Sequence, residues 1–274
     1  MRILMATDGS INADEALNFG AQIARRTDEN PTILAVTKKE ADRSQVDSIL
    51  AGAQRLMSRE KINVQTKVRI GHPAEEIIRE AEEGVYDLVI VGEGQHHALV
   101  TRFKLGSTAL RVAENSPCPV IIVKGKARSI DRILLCDSGA GRSSTLSRFT
   151  AELAKILEGE EEITVLHVMS QMSAGPGVRG QQLRADAEEL IAAHTPEGEV
   201  LNEVFQVFGD LGIHSTSKVR HGLVVDEILA EARIGNYDLV IIGAHQGEGW
   251  QRLLLEDQAR KIMSQLDRPV LVIK

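Results

Sequence analysis

The sequence predicts an α/β protein made of two tandem domains, each a doubly wound parallel sheet. Three observations predict it: near-continuous apolar runs of strand length, amphipathic helical stretches between them, and the return of the whole pattern in the second half of the 274 residues. Apolar runs without alternation suit strands buried on both faces of a parallel sheet. A repeated unit of over about a hundred residues is too long for a solenoid, so the halves read as two copies of one domain.

In the first copy the strands are expected near residues 3–6, 33–36, 64–70, 88–91 and 120–123. Between them, residues 13–26 put Ala16, Leu17, Gly20, Ile23 and Ala24 on one helical stripe, and residues 74–82 do the same with Ile77, Ile78 and Ala81. Residues 108–114 read as a further helix. This order is Rossmann-like.

The repeat is visible residue by residue. Arg2-Ile-Leu-Met-Ala-Thr-Asp-Gly-Ser10 returns as Arg132-Ile-Leu-Leu-Cys-Asp-Ser-Gly139, which is read as matching Asp8 with Asp137. Gly71-His-Pro-Ala-Glu-Glu-Ile-Ile78 returns as Gly222-Leu-Val-Val-Asp-Glu-Ile-Leu229, and Tyr86-Asp-Leu-Val-Ile-Val-Gly92 as Tyr237-Asp-Leu-Val-Ile-Ile-Gly243. Both copies close on Pro-Val and a β-branched run, at 119–124 and 269–274. The domains are therefore placed at 1–126 and 130–274. Unpaired apolar edge strands are an aggregation hazard, so residues 119–123 and 269–273 are expected to pair and make an internal pseudo-dimer, with a further homodimer left open. The second copy is longer between residues 170 and 211. That stretch starts with the loop-like Met172-Ser-Ala-Gly-Pro-Gly177 and contains Pro196, expected to divide its helical part in two.

Composition narrows the function classes. With 43% hydrophobic and 26% charged residues, the chain can bury two modest cores. A formal net charge of -7 without a long basic run argues against nucleic acid or an anionic membrane as partner. The apolar runs are too short to span a bilayer, and Met1 leads straight into a strand without a signal-peptide pattern, so a cytoplasmic location is expected. Cys118 and Cys136, the only cysteines, supply neither a metal quartet nor a disulfide framework and read as small core residues.

Ligands of doubly wound sheets bind at the carboxyl ends of the strands. The candidates are Ala6, Thr7 and Asp8 after the first strand, Val36 at the end of the second, and Val91, Gly92 and Gly94 after the fourth, followed by Gly106, Ser107 and Thr108 where a helix begins. Glycines let backbone N–H groups approach a phosphate, and a helix N-terminus adds unsatisfied donors and a favourable dipole. A glycine and a serine before a helix are, taken alone, more often only a turn and an N-cap. His96, His97 and His245 lack metal-ligand spacing and read as solvated loop residues. Arg102 and Lys104 read either as solvated or as phosphate partners. Trp250, placed in the second-copy loop, reads as packing.

Taken jointly, the Ile-Leu-Met-Ala-Thr-Asp-Gly-Ser start, the Gly-His-Pro-Ala element, the Tyr-Asp-Leu-Val-Ile-Val-Gly strand and the Leu-Gly-Ser…Ser-Pro-Cys-Pro-Val-Ile-Ile-Val close resemble the universal stress protein family over most of both halves. The resemblance implies a regulatory, stress-associated protein binding ATP, with or without magnesium, and acting on an unknown protein partner. It also implies that Asp8 and Val36 hold the adenosine end, with Gly92, Gly94, Gly106 and Ser107 around the phosphates. Family loops run Gly, two residues, Gly, nine residues, Gly, Ser/Thr. Here the first-copy loop carries one extra residue, so Gly94 serves only if the loop bulges. In the second copy, Glu256-Asp257 fall opposite Gly106-Ser107, which makes that site degenerate. Three rivals stay open: an adenylating or slowly ATP-hydrolysing enzyme, a phosphate-receiving domain, and a pseudo-dimeric interaction module without nucleotide. The first lacks a Walker or pyrophosphate motif.

Overall fold

The computed structural model describes residues 1–94, 105–137, 143–158, 161–169, 185–244 and 250–274. In chain order the first copy contributes β1 (Ile3–Thr7), α1 (Ile11–Ala24), β2 (Thr32–Thr37), α2 (Arg43–Arg59), β3 (Gln65–Ile70), α3 (Pro73–Gly84), β4 (Leu88–Gly92), α4 (Ser107–Asn115) and β5 (Val120–Val123). The second contributes β6 (Arg132–Cys136), α5 (Ser143–Ile156), β7 (Glu162–Met169), α6 (Ala187–Ala192), α7 (Pro196–Asp210), β8 (Ser215–His221), α8 (Val224–Ile234), β9 (Leu239–Gly243), α9 (Trp250–Gln265) and β10 (Val270–Ile273). The chain divides into two compact units, Met1–Ser129 with Asp267–Ile273, and Ile130–Leu266 with Lys274.

In the first unit the strand order is β3-β2-β1-β4-β5, all parallel, with β10 antiparallel to β5 at the end. Continuous apolar sequence goes to the middle: Ile3, Leu4, Met5, Val89, Ile90, Ile121 and Ile122 are essentially solvent-free. The outer strand β3, Gln-Thr-Lys-Val-Arg-Ile, is polar and largely exposed, as an edge requires. Ser10 starts α1 by accepting the Ala13 N–H on its hydroxyl. The expected stripe of α1 is the buried one, and a Cβ at Gly20 would come within 2.8 Å of Met5 Cε, so the helix lies close on the sheet. The sequence reading assigned no element to residues 43–59. Their spacing of Val46, Leu50, Ala53 and Met57 is helical, and those four side chains form the buried face of α2.

In the second unit the order is β9-β6-β7-β8, all parallel. Pro196 divides the helical stretch as expected: it occupies the first turn of α7, after the Thr195 N-cap, and α6 ends before it. Asp186 and Glu189 form a capping box at the start of α6. Residues 170–184, including the Met172–Gly177 run, lie outside the described residues.

Each unit ties its outer strand to the core by the same charged cluster. Glu80, 2% exposed, accepts from Lys67 Nζ at 2.5 Å, Arg69 Nε and Tyr86 OH. Glu231, fully buried, accepts from Lys218 Nζ at 2.7 Å, Arg220 Nη1 and Tyr237 OH. Burial pushes both carboxyls up, but the donors outweigh it and hold each below the ordinary carboxylate range. The two tyrosines also stack under Arg2 and Arg132.

Candidate functional site

The candidate residues of the first unit gather where β1 and β4 end. Gly9 N–H donates to Thr7 Oγ1 at 3.1 Å and Ser10 N–H to Asp8 Oδ1 at 3.0 Å, which closes the turn into α1. Thr7 is buried with its hydroxyl engaged there, while Asp8 is exposed. Ala6 and Val36 are half-buried at their strand ends, and Val91 is a core residue, 4% exposed. From this turn, hydrogen bonds lead across to α4. Asn12 Nδ2 donates to the Gly94 carbonyl at 2.7 Å, Gly106 N–H donates to the Glu93 carbonyl at 2.8 Å, and Glu93 N–H donates to the Val123 carbonyl at 3.0 Å.

Two glycines are required by these approaches. A Cβ at Gly92 would lie 2.6 Å from the Asn12 carbonyl oxygen, and one at Gly106 would lie 2.6 Å from that of Glu93. Gly94 has φ +87° and sits against Gly106, its would-be Cβ 3.4 Å from the Gly106 Cα. Gly106 is the N-cap of α4 without a side-chain cap, Ser107 is its exposed first residue, and Thr108 follows half-buried. The first-turn N–H groups of such a helix are an anion-binding feature. His96, His97, Arg102 and Lys104 lie outside the described residues.

Two ionisable groups beside this path are perturbed. Partial burial, with the charges of Asp8 and Glu15, pushes the Asp14 carboxyl up. Burial brings the Lys124 ammonium down to about 8, opposed by the carboxylates of Glu93 and Asp267.

The second unit departs from the sequence reading in three places. Ile3 pairs with Leu88 and Ile133 with Leu239, so β1 and β6 correspond without a gap, and Asp137 is the counterpart of Thr7 rather than of Asp8. Their burial agrees: Asp137 and Thr7 are each 6% exposed. Second, α9 already begins at Trp250, so Glu256-Asp257 lie within a helix and not at its N-terminus. Asp257 is engaged with Lys261 at 2.6 Å, one helical turn on. Third, Trp250 opens that helix instead of lying in a loop. Val168 is half-buried like Val36, but the residue before it is His167, 5% exposed, where the first unit has Ala35. Burial pushes the His167 imidazole down, opposed by Asp137. His245 lies outside the described residues.

Sequence reasoning missed Asn12, Lys124 and the Glu80 cluster. Asn12 and Lys124 gave no signal, because only the fold brings them to what they meet: the Gly94 carbonyl for Asn12 in α1, and the neighbouring strand end that carries Glu93 for Lys124. Lys67, Arg69 and Glu80 do return as Lys218, Arg220 and Glu231 at one constant spacing, a signal inside the repeat itself. Cys136 is buried, as expected, whereas Cys118 is only half-buried. Among the described residues no cluster of three metal-ligating side chains occurs, and no helix is long and apolar enough to cross a membrane.

With this geometry in place, comparison with known proteins decides the family. The model of the universal stress protein family matches residues 1–124 and again 129–274. The chain belongs to the universal stress protein family. A universal stress protein of Staphylococcus haemolyticus is 30% identical over 138 residues, 44% of this chain and 83% of the relative. One from Synechocystis is 27% identical over 120 residues, 44% of this chain and 41% of the relative. Among solved structures, a universal stress protein from Archaeoglobus fulgidus superposes with a TM-score of 0.71 at 20% identity, covering 100% of this chain and 98% of that one. This likeness gives the fold: two universal stress protein copies in tandem over the whole length.

Proposed function

We propose that this family member is an adenine-nucleotide-binding regulatory protein whose first domain, residues 1–126, holds ATP while the second, residues 130–274, does not. The observation that carries the reading is the convergence of the Asp8 turn, the Gly92–Gly94 segment and the α4 N-terminus, joined through Asn12, Glu93 and Gly106. Asp8 is exposed at a strand end, where a carboxylate accepts from ribose hydroxyls. Ala6 and Val36 offer a half-buried floor to the base. Gly92 and Gly106 let the Asn12 and Glu93 backbone pack close, which fixes the start of α4 beside the Asp8 turn; its first-turn N–H groups and the Ser107 hydroxyl are the donors to the phosphates, with Thr108 behind them. Thr7 and Val91 act through the backbone, since their side chains are buried. Magnesium, where present, enters with the phosphates.

The second domain lacks this arrangement in two respects. Buried Asp137 replaces Thr7 beneath the ribose position, and the last helix runs through the place where α4 starts in the first domain. The nucleotide then serves as a signal read by a protein partner, without a dedicated substrate reaction. Small molecules released by denaturing the freshly purified protein test the reading by mass spectrometry. An adenine nucleotide is expected. A protein that releases none and takes up none at millimolar ATP contradicts it.

A further inference from the structure

Lys124 follows β5 and is 4% exposed, the one lysine among the buried residues described. The register of β4 and β5 sets Gly92 beside Val123, so Glu93 and Lys124, one step further, are lateral neighbours on adjacent parallel strands. Such neighbours lie roughly 4.8 Å apart with side chains on the same face of the sheet. Glu93 is fixed on both sides of its backbone, donating to the Val123 carbonyl at 3.0 Å and accepting from Gly106 N–H at 2.8 Å. Gly106 is the N-cap of α4. The Glu93 backbone is therefore hydrogen-bonded to the residue that caps the helix terminus assigned to the phosphates, and a negative charge on its side chain opposes them. Lys124 is the lateral neighbour of Glu93 in the strand register, and the charges of Glu93 and Asp267 both favour the Lys124 ammonium against its burial.

We infer that Lys124 is a positioning residue for the nucleotide: it holds and neutralises the Glu93 carboxylate beside the Gly106–Ser107 phosphate seat. This rests on the assignment of that seat to nucleotide phosphates. It explains why the loop tolerates an acidic residue between Gly92 and Gly94. It also gives a buried lysine a role beyond packing, since burial alone disfavours the ammonium.

The test is a calorimetric titration with ATP on the full chain and on Lys124→Met, Glu93→Gln and the double variant, with thermal unfolding of each. Lys124→Met is expected to weaken ATP binding about tenfold with the chain still folded at the titration temperature, although a carboxylate left without its partner lowers the melting point. Adding Glu93→Gln should restore affinity to within about twofold, since the repelling charge is gone. Glu93→Gln alone should tighten binding severalfold, which keeps the idea testable even if Lys124→Met fails to fold. Equal affinity of Lys124→Met and wild type, failure of the double variant to recover, or weaker binding by Glu93→Gln overturns the inference and leaves the nucleotide site standing. A wild-type chain that binds no ATP overturns the functional reading and the inference with it.

Discussion

Leu271 stands opposite Ile121 in the antiparallel ladder between β10 and β5, with Val270 opposite Ile122 and Val272 opposite Val120. All six side chains are buried. The pairing of the two closing strands, expected from their apolar composition, is thus a feature of the first compact unit, which includes Asp267–Ile273. The amides of 120–123 and 270–273 should be among the slowest to exchange with deuterium, and Leu271→Pro, which removes a buried ladder hydrogen bond, should cost about 1–3 kcal/mol in urea unfolding. Rapid exchange of either strand in the native protein counts against the pairing.

The buried carboxylates Glu80 and Glu231 should make the protein acid-sensitive. Each is held below its ordinary value by lysine, arginine and tyrosine donors that outweigh burial. A folded-state value below the unfolded one stabilises the fold above the unfolded pKa, near 4.5, and that stability is lost as pH falls through the folded value. Glu80→Gln and Glu231→Gln should each lower stability at pH 7 by about 2–4 kcal/mol, less than a fully enclosed pair because Lys67 and Lys218 reach water. Each variant should also flatten the stability profile between pH 5 and 3. Urea titrations across that range measure both effects, and an unchanged profile contradicts the role of these clusters.

Gly92→Ala puts a methyl group 2.6 Å from the Asn12 carbonyl oxygen, a backbone atom that moves only with α1. We expect a loss of about 1–3 kcal/mol in stability. ATP affinity should fall at least about tenfold, the equivalent of one displaced hydrogen bond to a charged group. Parallel unfolding and binding measurements on this variant, with an alanine on the exposed face of α2 as control, separate the two effects.

Most of the sheet was legible because its middle strands are apolar on both faces and their sequences return in the second copy. The period of α2 is also in the sequence, in Val46, Leu50, Ala53 and Met57, but this segment has no equally clear copy in the second half to mark it. The match of Asp8 with Asp137 went astray because two acidic residues one position apart invite alignment by type. Only strand pairing with β4 and β9 fixes the register that puts Asp137 on Thr7. Likewise, Glu256-Asp257 aligned with Gly106-Ser107 by counting, but counting does not say where a helix starts, and α9 starts at Trp250. Asn12 and Lys124 were illegible because their meaning lies in residues 82 positions away, for Asn12 and Gly94, or on an adjacent strand, for Lys124 and Glu93.

The proposed single nucleotide seat per chain, at Gly106–Ser107 of the first domain, sets the stoichiometry of binding. A carboxylate about 4 Å from a phosphate costs on the order of 1–4 kcal/mol at surface-like dielectric, comparable with the gain from one or two good donors. Calorimetric titration with ATP should therefore give close to one site per chain for the wild type and none for Ser107→Asp. Two sites per chain, or one that survives Ser107→Asp and disappears when Asp137 is changed, would place the nucleotide elsewhere.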